Sequence, residues 1–408
     1  MDRRVVITGM GIYSVLGKDL DEVKESLMNG KSGIGIDERR KELGFRSLLT
    51  GIIERPNLKG FLSRRERIGL PAQGEYSYMA TREAFKNAEI SQEFLNENEV
   101  GVIFGNDSSA VPVIESIDRV RETKDTTLIG SGAIFKSMNS SITMNLSVIF
   151  KLRGINFTVS GACASSSHAI GMAYILIKQG YQDTILCGGG QEFNAESMGS
   201  FDGLSAFSVR HDDPTKASRP FDKDRDGLIP SGGGAAIVVE SLESAIKRGA
   251  PIIAEIKGYG FSSNGDHISN PNEEGPTASL KRCLNDANMK ADDIDYINAH
   301  ATSTPIGDIM EARALAAVFG ENSVPISSTK GMTGHEMWMG GASEVIYSTL
   351  MMQNSFIAPN INFKELGPDL PKINIINKTT KHNIDTFLSN SFGFGGTNSS
   401  LIVSKYNK

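Results

Sequence analysis

The stretch "NFTVSGACASSSHAIGMAYILIKQG", residues 156–180, changes its period in the middle. The alternation before Ser160 predicts a β-strand, and the spacing of apolar residues after Ala164 predicts a helix that starts at once. Between them stand Ser160, Gly161, Ala162, Cys163 and Ala164, the smallest side chains available around a single cysteine. A strand that turns abruptly into a helix exposes its turn residue and crowds that residue's neighbours, a geometry only small residues tolerate. The N-terminus of the following helix adds unpaired N–H groups and a partial positive charge near the sulfur, which favours thiolate over thiol. Cys163 therefore reads as a nucleophile. Cys187, in a strand-like run, and Cys283, in a helical one, read as small buried apolar residues.

Outward from this corner the same grammar recurs. Short apolar runs ending in glycine appear at 4–11 ("RVVITGMG"), 100–105 ("VGVIFG"), 184–190 ("TILCGGG") and 254–260 ("AEIKGYG"), with helical stretches between several of them. Strands alternating with helices predict an α/β fold whose sheets are covered by helices on their faces. "VVITGMGIYSVLG" near the start and "AEIKGYGFSSNGD" at 254–266 share a strand-then-GxG layout, an internal echo that predicts two similar halves. The helix-like "SLESAIKRGA" before Pro251 places the boundary near residue 250, giving halves 1–250 and 251–408.

The composition excludes several function classes. In 408 residues, 42 basic against 48 acidic side chains give a net charge of −6, without the positive excess of a nucleic-acid coat or a polybasic membrane anchor. No apolar stretch approaches membrane-spanning length, and the first residues lack a secretory pattern, so a cytoplasmic location is the expectation. Three scattered cysteines suggest neither a disulfide framework nor a zinc site.

Three motifs resemble ligand sites and fail on spacing. "NGKSG" at 29–33 has Glu25 where a phosphate-binding loop requires glycine. "DKDRDG" at 222–227 copies the start of a calcium loop, but the bidentate carboxylate would fall on Gly233. "TGMG" in the first strand has Ser14 in place of the third glycine of a dinucleotide fingerprint.

A nucleophilic cysteine needs partners. His300 in "INAHATSTPIGD" and His335 in "KGMTGHEMWMGG" both fall at strand ends or loops, where α/β sheets collect functional groups. His168, one turn into the helix after Cys163, reads as a support for the elbow, while His211, His267 and His382 read as surface or loop residues.

"GACASSSHAIG", "KASRPFDKDRDG", "NAHATSTPIGD", "KGMTGH" and "NSFGFGGTNSSLIV", in this order and spacing, resemble the motif series of the elongating β-ketoacyl-acyl-carrier-protein synthases, KAS I and II. The likeness runs over nearly the whole chain and is closer to KAS I around 160–240 and 300–400. It implies the thiolase fold, two halves in five α-β-α-β-α layers, usually as a homodimer. It also implies decarboxylative condensation of malonyl-acyl-carrier protein with an acyl chain held on Cys163. The oxyanion would be held by the N–H groups of Cys163 and Phe394, and the malonyl enolate by His300 and His335. Lys330 would orient the site with Glu311 as its buried partner, and Thr302 and Thr304 would bind the pantetheine arm. Phe392 and Phe394 would form a glycine-hinged gate, and Arg64 and Arg65 would meet the acidic carrier protein. No metal or redox cofactor is implied, and no nucleic acid or membrane partner.

Three departures from the family pattern bear on substrate range: Ala301 after His300, Leu228 after "RDG", and "EMWMGGAS" after His335, which brings Glu336 and Trp338 near the site. With the polar loop "GNDSSAVP" at 105–112, they predict an altered acyl pocket, suited to polyene or other unsaturated chains. A non-catalytic chain-length partner in a heterodimer is the alternative; it typically lacks the cysteine.

Overall fold

The computed structural model describes residues 3–407. Among these, eleven strands join in one mixed sheet system. The first half contributes β1 (Val5–Ser14), helix α1 (Ala72–Asn87), β2 (Val100–Gly105), β3 (Asn156–Val159), helix α2 (Ser165–Lys178), β4 (Thr184–Gln191) and β5 (Gly233–Ser241). The second contributes β6 (Ala254–Ser263), helix α3 (Glu274–Ala287), β7 (Tyr296–Asn298), helix α4 (Gly307–Phe319), β8 (Pro325–Ser327), helix α5 (Gly340–Asn354), β9 (Thr386–Gly393) and β10 (Thr397–Ser404).

The strand order is β1-β5-β4-β2-β3 on one side and β6-β10-β9-β7-β8 on the other, with a short strand, Asn374–Ile375, beyond β8. The directions repeat as well. Two antiparallel pairings are followed by two parallel ones in each set. The sets meet where β1 and β6 pair antiparallel at Val5–Ile7 and Ala254–Ile256.

The echoed glycines have a packing reason. A Cβ at Gly11 would stand 2.1 Å from the carbonyl oxygen of Ala80 in α1, and one at Gly260 would stand 2.1 Å from that of Ser279 in α3. In both halves the GxG of the first strand lets the outer helix lie directly on the backbone. Helices α2 and α5 form the central layer between the sheets. There Gly341 meets Ser167, and the Ala342 N–H donates to Ser166 Oγ at 3.0 Å. This is the five-layer thiolase fold, with its largest apolar core between α2, α5 and the two sheets.

Candidate active site

Cys163 lies in a 3-10 turn, Ala162–Ala164, between β3 and α2. The turn is held in an uncommon shape: Ala162 has φ +46, in the left-handed region. Its N–H donates to Asp107 Oδ2 at 3.0 Å, and the Gly161 N–H donates to Ser165 Oγ at 2.9 Å. Behind the turn, His168 bonds the Tyr259 hydroxyl at 2.6 Å and Thr397 Oγ1 at 2.8 Å, which ties α2 to β6 and β10.

Cys163 is 7% exposed, and the environment of its sulfur corrects one expectation. Burial pushes the Cys163 thiol up to about 12; the charge of Lys330 and the N–H groups of Phe394 and Cys163 pull it down, and Asp107 opposes them. Desolvation outweighs the helix terminus, so the resting group is a thiol. His335 Nε2 stands 3.0 Å from Sγ, and its Nδ1 has no hydrogen-bond partner among the described residues. The His300 and His335 rings meet edge to face with centroids 5.3 Å apart. Burial and the Lys330 charge push both imidazoles well below the ordinary histidine value, leaving them neutral at pH 7.

A second correction concerns Lys330. Its Nζ pairs with Glu344 Oε1 on α5, not with Glu311. Glu311 instead accepts the N–H groups of His300 at 2.9 Å and Ala301 at 2.6 Å, and Asn390 Nδ2 at 3.2 Å, so it fixes the loop that carries His300. Glu344 was not singled out from the sequence; its signal was a carboxylate on an otherwise apolar and small-residue helix.

Cys163, His300, His335, Glu311, Thr302, Thr304, Phe392 and Phe394 all line one cavity of about 380 Å³. Thr302 and Thr304 share a hydroxyl contact at 3.1 Å. Two residues missed in the sequence hold that threonine loop. Asp308 accepts the N–H groups of Thr302 and Thr304 at 3.1 and 3.2 Å, and Arg225 donates to the carbonyls of Thr304 and Pro305 at 3.0 and 2.5 Å. Phe392 lies 6.0 Å from the His300 ring, and Phe394 stacks on Phe201 at 5.9 Å. Gly395 and Gly396 beside it have φ +75 and +71.

Leu228 and Trp338 are buried in the apolar cluster around Cys163, with Met198, Phe207 and Met337, and Phe201 packs against it. Ala301 is buried and lines the cavity. Arg64 and Arg65 are exposed on a short helix, Arg64–Arg67, outside the cavity lining, between the exposed side chains of Phe61 and Ile68.

Chemically, the cavity presents a thiol in contact with one imidazole, a second imidazole beside it, and two backbone N–H groups aimed at the sulfur. That set suits acyl transfer through a thioester and stabilisation of negative charge on a neighbouring oxygen.

Comparison with known proteins gives a consistent result. The family model for the beta-ketoacyl synthase N-terminal domain matches residues 2–245, and that for the C-terminal domain matches residues 253–364. A 3-oxoacyl-[acyl-carrier-protein] synthase 1 of Haemophilus influenzae is 42% identical over 99% of this chain and 100% of its own. A crystal structure of a beta-ketoacyl synthase from Burkholderia phymatum superposes with a TM-score of 0.94 at 33% identity, covering 99% of this chain and 100% of that one. The ketosynthase of a type II PKS, solved in complex with its acyl-carrier protein and bound to the hexaketide, superposes at 0.90 with 28% identity, covering the whole of both chains.

Proposed function

Because the chain belongs to the beta-ketoacyl synthase family, we infer how its own residues carry out the condensation. The enzyme is a condensing acyltransferase, a 3-oxoacyl-acyl-carrier-protein synthase of fatty acid synthesis. The observation that carries the residue assignment is the convergence on one sulfur of His335 Nε2 and the N–H groups of Cys163 and Phe394.

In the first half-reaction the Cys163 sulfur attacks the thioester carbonyl of acyl-carrier protein. The new C–S bond forms as the thiol gives up its proton, the pantetheine C–S bond breaks, and the departing thiolate takes a proton. The two N–H groups receive the oxyanion of the tetrahedral intermediate. Malonyl-carrier protein then enters with its pantetheine arm along Thr302 and Thr304. Its carboxylate leaves as carbon dioxide, and the electron pair of the broken C–C bond moves onto the thioester as an enolate. His300 and His335, being neutral, each have an N–H to donate to that oxygen. The enolate carbon attacks the acyl-Cys163 carbonyl, the C–S bond breaks, the released Cys163 thiolate takes up a proton from solvent to restore the thiol, and 3-oxoacyl-carrier protein departs. The substrates arrive on the phosphopantetheine of acyl carrier protein, and none of these steps calls for a redox group or a metal.

The finer parts of the reading have separate supports. Phe394, seated on Phe201 and followed by two glycines at positive φ, is the gate that yields when an acyl chain enters, with Phe392 moving beside it. Arg64 and Arg65 offer exposed positive charge to an acidic carrier protein. The edge strand β3 and the exposed Ile134, Phe135, Met138 and Val148 suit a homodimer formed along that edge. Residues 1–250 and 251–408 are its two thiolase-like halves. No helix among the described residues is long and apolar enough to cross a membrane. The aromatic wall of Phe201, Phe207 and Trp338 supports an acyl range altered toward unsaturated chains.

Intact-protein mass spectrometry after mixing with a panel of acyl-carrier proteins, with Cys163→Ala as control, tests the reading. Acyl adducts on the wild type that are absent from the control are expected, and their relative yield ranks the chains. No adduct with any chain would overturn it.

A further inference from the structure

Behind the two imidazoles lies a buried charge cluster that the steps above do not use. Lys330 is enclosed, and three enclosed carboxylates, Glu311, Glu336 and Glu344, all feel its charge. Glu311 is committed to the His300 loop, and Glu344 holds Lys330 while its own Oε2 finds no partner among the described residues.

Glu336 is the member with no assigned task. It follows His335 in the chain, and its carboxylate accepts Ser343 Oγ at 2.5 Å and the Tyr347 hydroxyl at 2.9 Å. Both partners lie on α5. Met337, the next residue, lines the cavity with φ +44. A side chain anchored at 336 thus fixes what residues 335 and 337 on either side present to substrate.

The charge balance of the cluster gives Glu336 a second consequence. One ammonium cannot neutralise three carboxylates out of reach of water, and an unpaired buried charge is strongly unfavourable, so the cluster retains protons. Burial raises both Glu336 and Glu344 to about 7. The groups facing Glu336 are Lys330 from the short helix Lys330–Thr333, Glu344 and Tyr347 from α5, and His335 in its own segment; Ser14 of β1 reaches the Tyr347 hydroxyl.

We propose that Glu336 is a positioning residue for the condensation, acting through His335: clamped by Ser343 and Tyr347, it holds the 335–337 segment, and by gaining or losing a proton it sets the charge behind the imidazole. The inference rests on His335 being a donor to the malonyl enolate. An ionised Glu336 offsets the positive potential that Lys330 projects toward that enolate; a protonated one leaves the potential intact. Decarboxylation therefore falls as pH rises through neutrality. With Glu336 neutralised, Glu344 loses a like-charged neighbour and pairs with Lys330 at lower pH, so the dependence shrinks.

The test is the pH profile of malonyl-acyl-carrier-protein decarboxylation, as kcat from pH 6 to 8.5, for the wild type, Glu336→Gln and Tyr347→Phe, with melting temperatures alongside. The expected wild-type decline is about fivefold or more, shrinking to less than about twofold in Glu336→Gln. Tyr347→Phe keeps Glu336 but removes a donor that stabilises its ionised form, so its decline moves to higher pH. Tyr347→Phe carries the test if Glu336→Gln does not fold. Profiles that superimpose on the wild type, whatever their height, overturn the inference and leave the condensing reading in place. Decarboxylation absent from the wild type overturns both.

Discussion

The two halves place different chemistry at the same topological point. In the first, β3 runs to α2 through residues 160–164; in the second, β8, its counterpart in strand order, runs to α5 through residues 328–339. Both connections emerge at the central helices and face one cavity. The short one has no room for anything but a tight turn, and the residue at its tip is Cys163, the nucleophile of the proposed mechanism. The long one has room for Lys330, His335 and Glu336, and it collects charge and hydrogen-bond donors. On the proposed mechanism, a duplicated fold divides covalent chemistry from electrostatic chemistry by the length of a loop.

Cys163→Ala breaks the comparison on its short side. Condensation is expected to fall by at least about 10³-fold because no acyl-enzyme forms. Malonyl decarboxylation, which the proposed mechanism rests on His335 of the long connection and on His300, should stay within about tenfold of the wild type. Separate assays of carbon dioxide release and of 3-oxoacyl product check this, and a parallel loss of both would show that the two connections do not divide the work.

Lys330→Met breaks it on the long side. Removing the one cation leaves Glu344, Glu336 and Glu311 buried without a counter-charge, which costs about 3–5 kcal/mol of stability. A double variant, Lys330→Met with Glu344→Leu, should recover part of that loss in denaturant melts; no recovery would mean that the ion pair is not where the cost arises.

How far these sites were legible in the sequence follows the same division. The elbow at Cys163 is local: a period change, five small residues and a helix start are all visible along the chain, and so was the GxG echo that lets α1 and α3 lie on their sheets. The Lys330 partner is not local. Glu311 and Glu344 are both carboxylates on helices near the site, and only the packing of α5 against the short helix Lys330–Thr333 decides which one meets the ammonium. The thiolate expectation failed for a related reason. A helix terminus can be read from a sequence, but the burial that pushes the Cys163 thiol up depends on residues from both halves, among them Leu228, Met337 and Trp338.

The carboxylates also make stability depend on pH in an unusual direction. Glu311, Glu336 and Glu344 are each raised from 4.5 to about 7 by burial. Between those values the folded protein holds protons that the unfolded chain has released, so their contribution is fully present below pH 4.5 and is lost as pH rises through 7. The melting temperature should fall over that window relative to a Glu336→Gln variant, whose curve is flatter. A steeper fall in the variant would contradict the assignment.

The smallest effect sharpens the comparison most. Each connection holds one non-glycine residue in the left-handed region beside its functional side chain, Ala162 at φ +46 and Met337 at φ +44. Met337 is enclosed, so the apolar packing of its side chain holds that conformation. Ala162 has only a methyl, and its shape is held by the N–H bond to Asp107. Ala162→Gly removes the left-handed penalty but frees the unfolded chain, two opposing contributions of about 1 kcal/mol each, so stability should change by less than about 1 kcal/mol. The elbow, however, loses the stiffness that points Sγ at His335 Nε2. Acyl transfer to Cys163 should slow several-fold with no change in malonyl decarboxylation, measured as the burst rate of acyl-enzyme formation. An unchanged burst would mean that the neighbouring glycine and serine bonds alone hold the turn, and that the strain at Ala162 has no part in aiming the nucleophile.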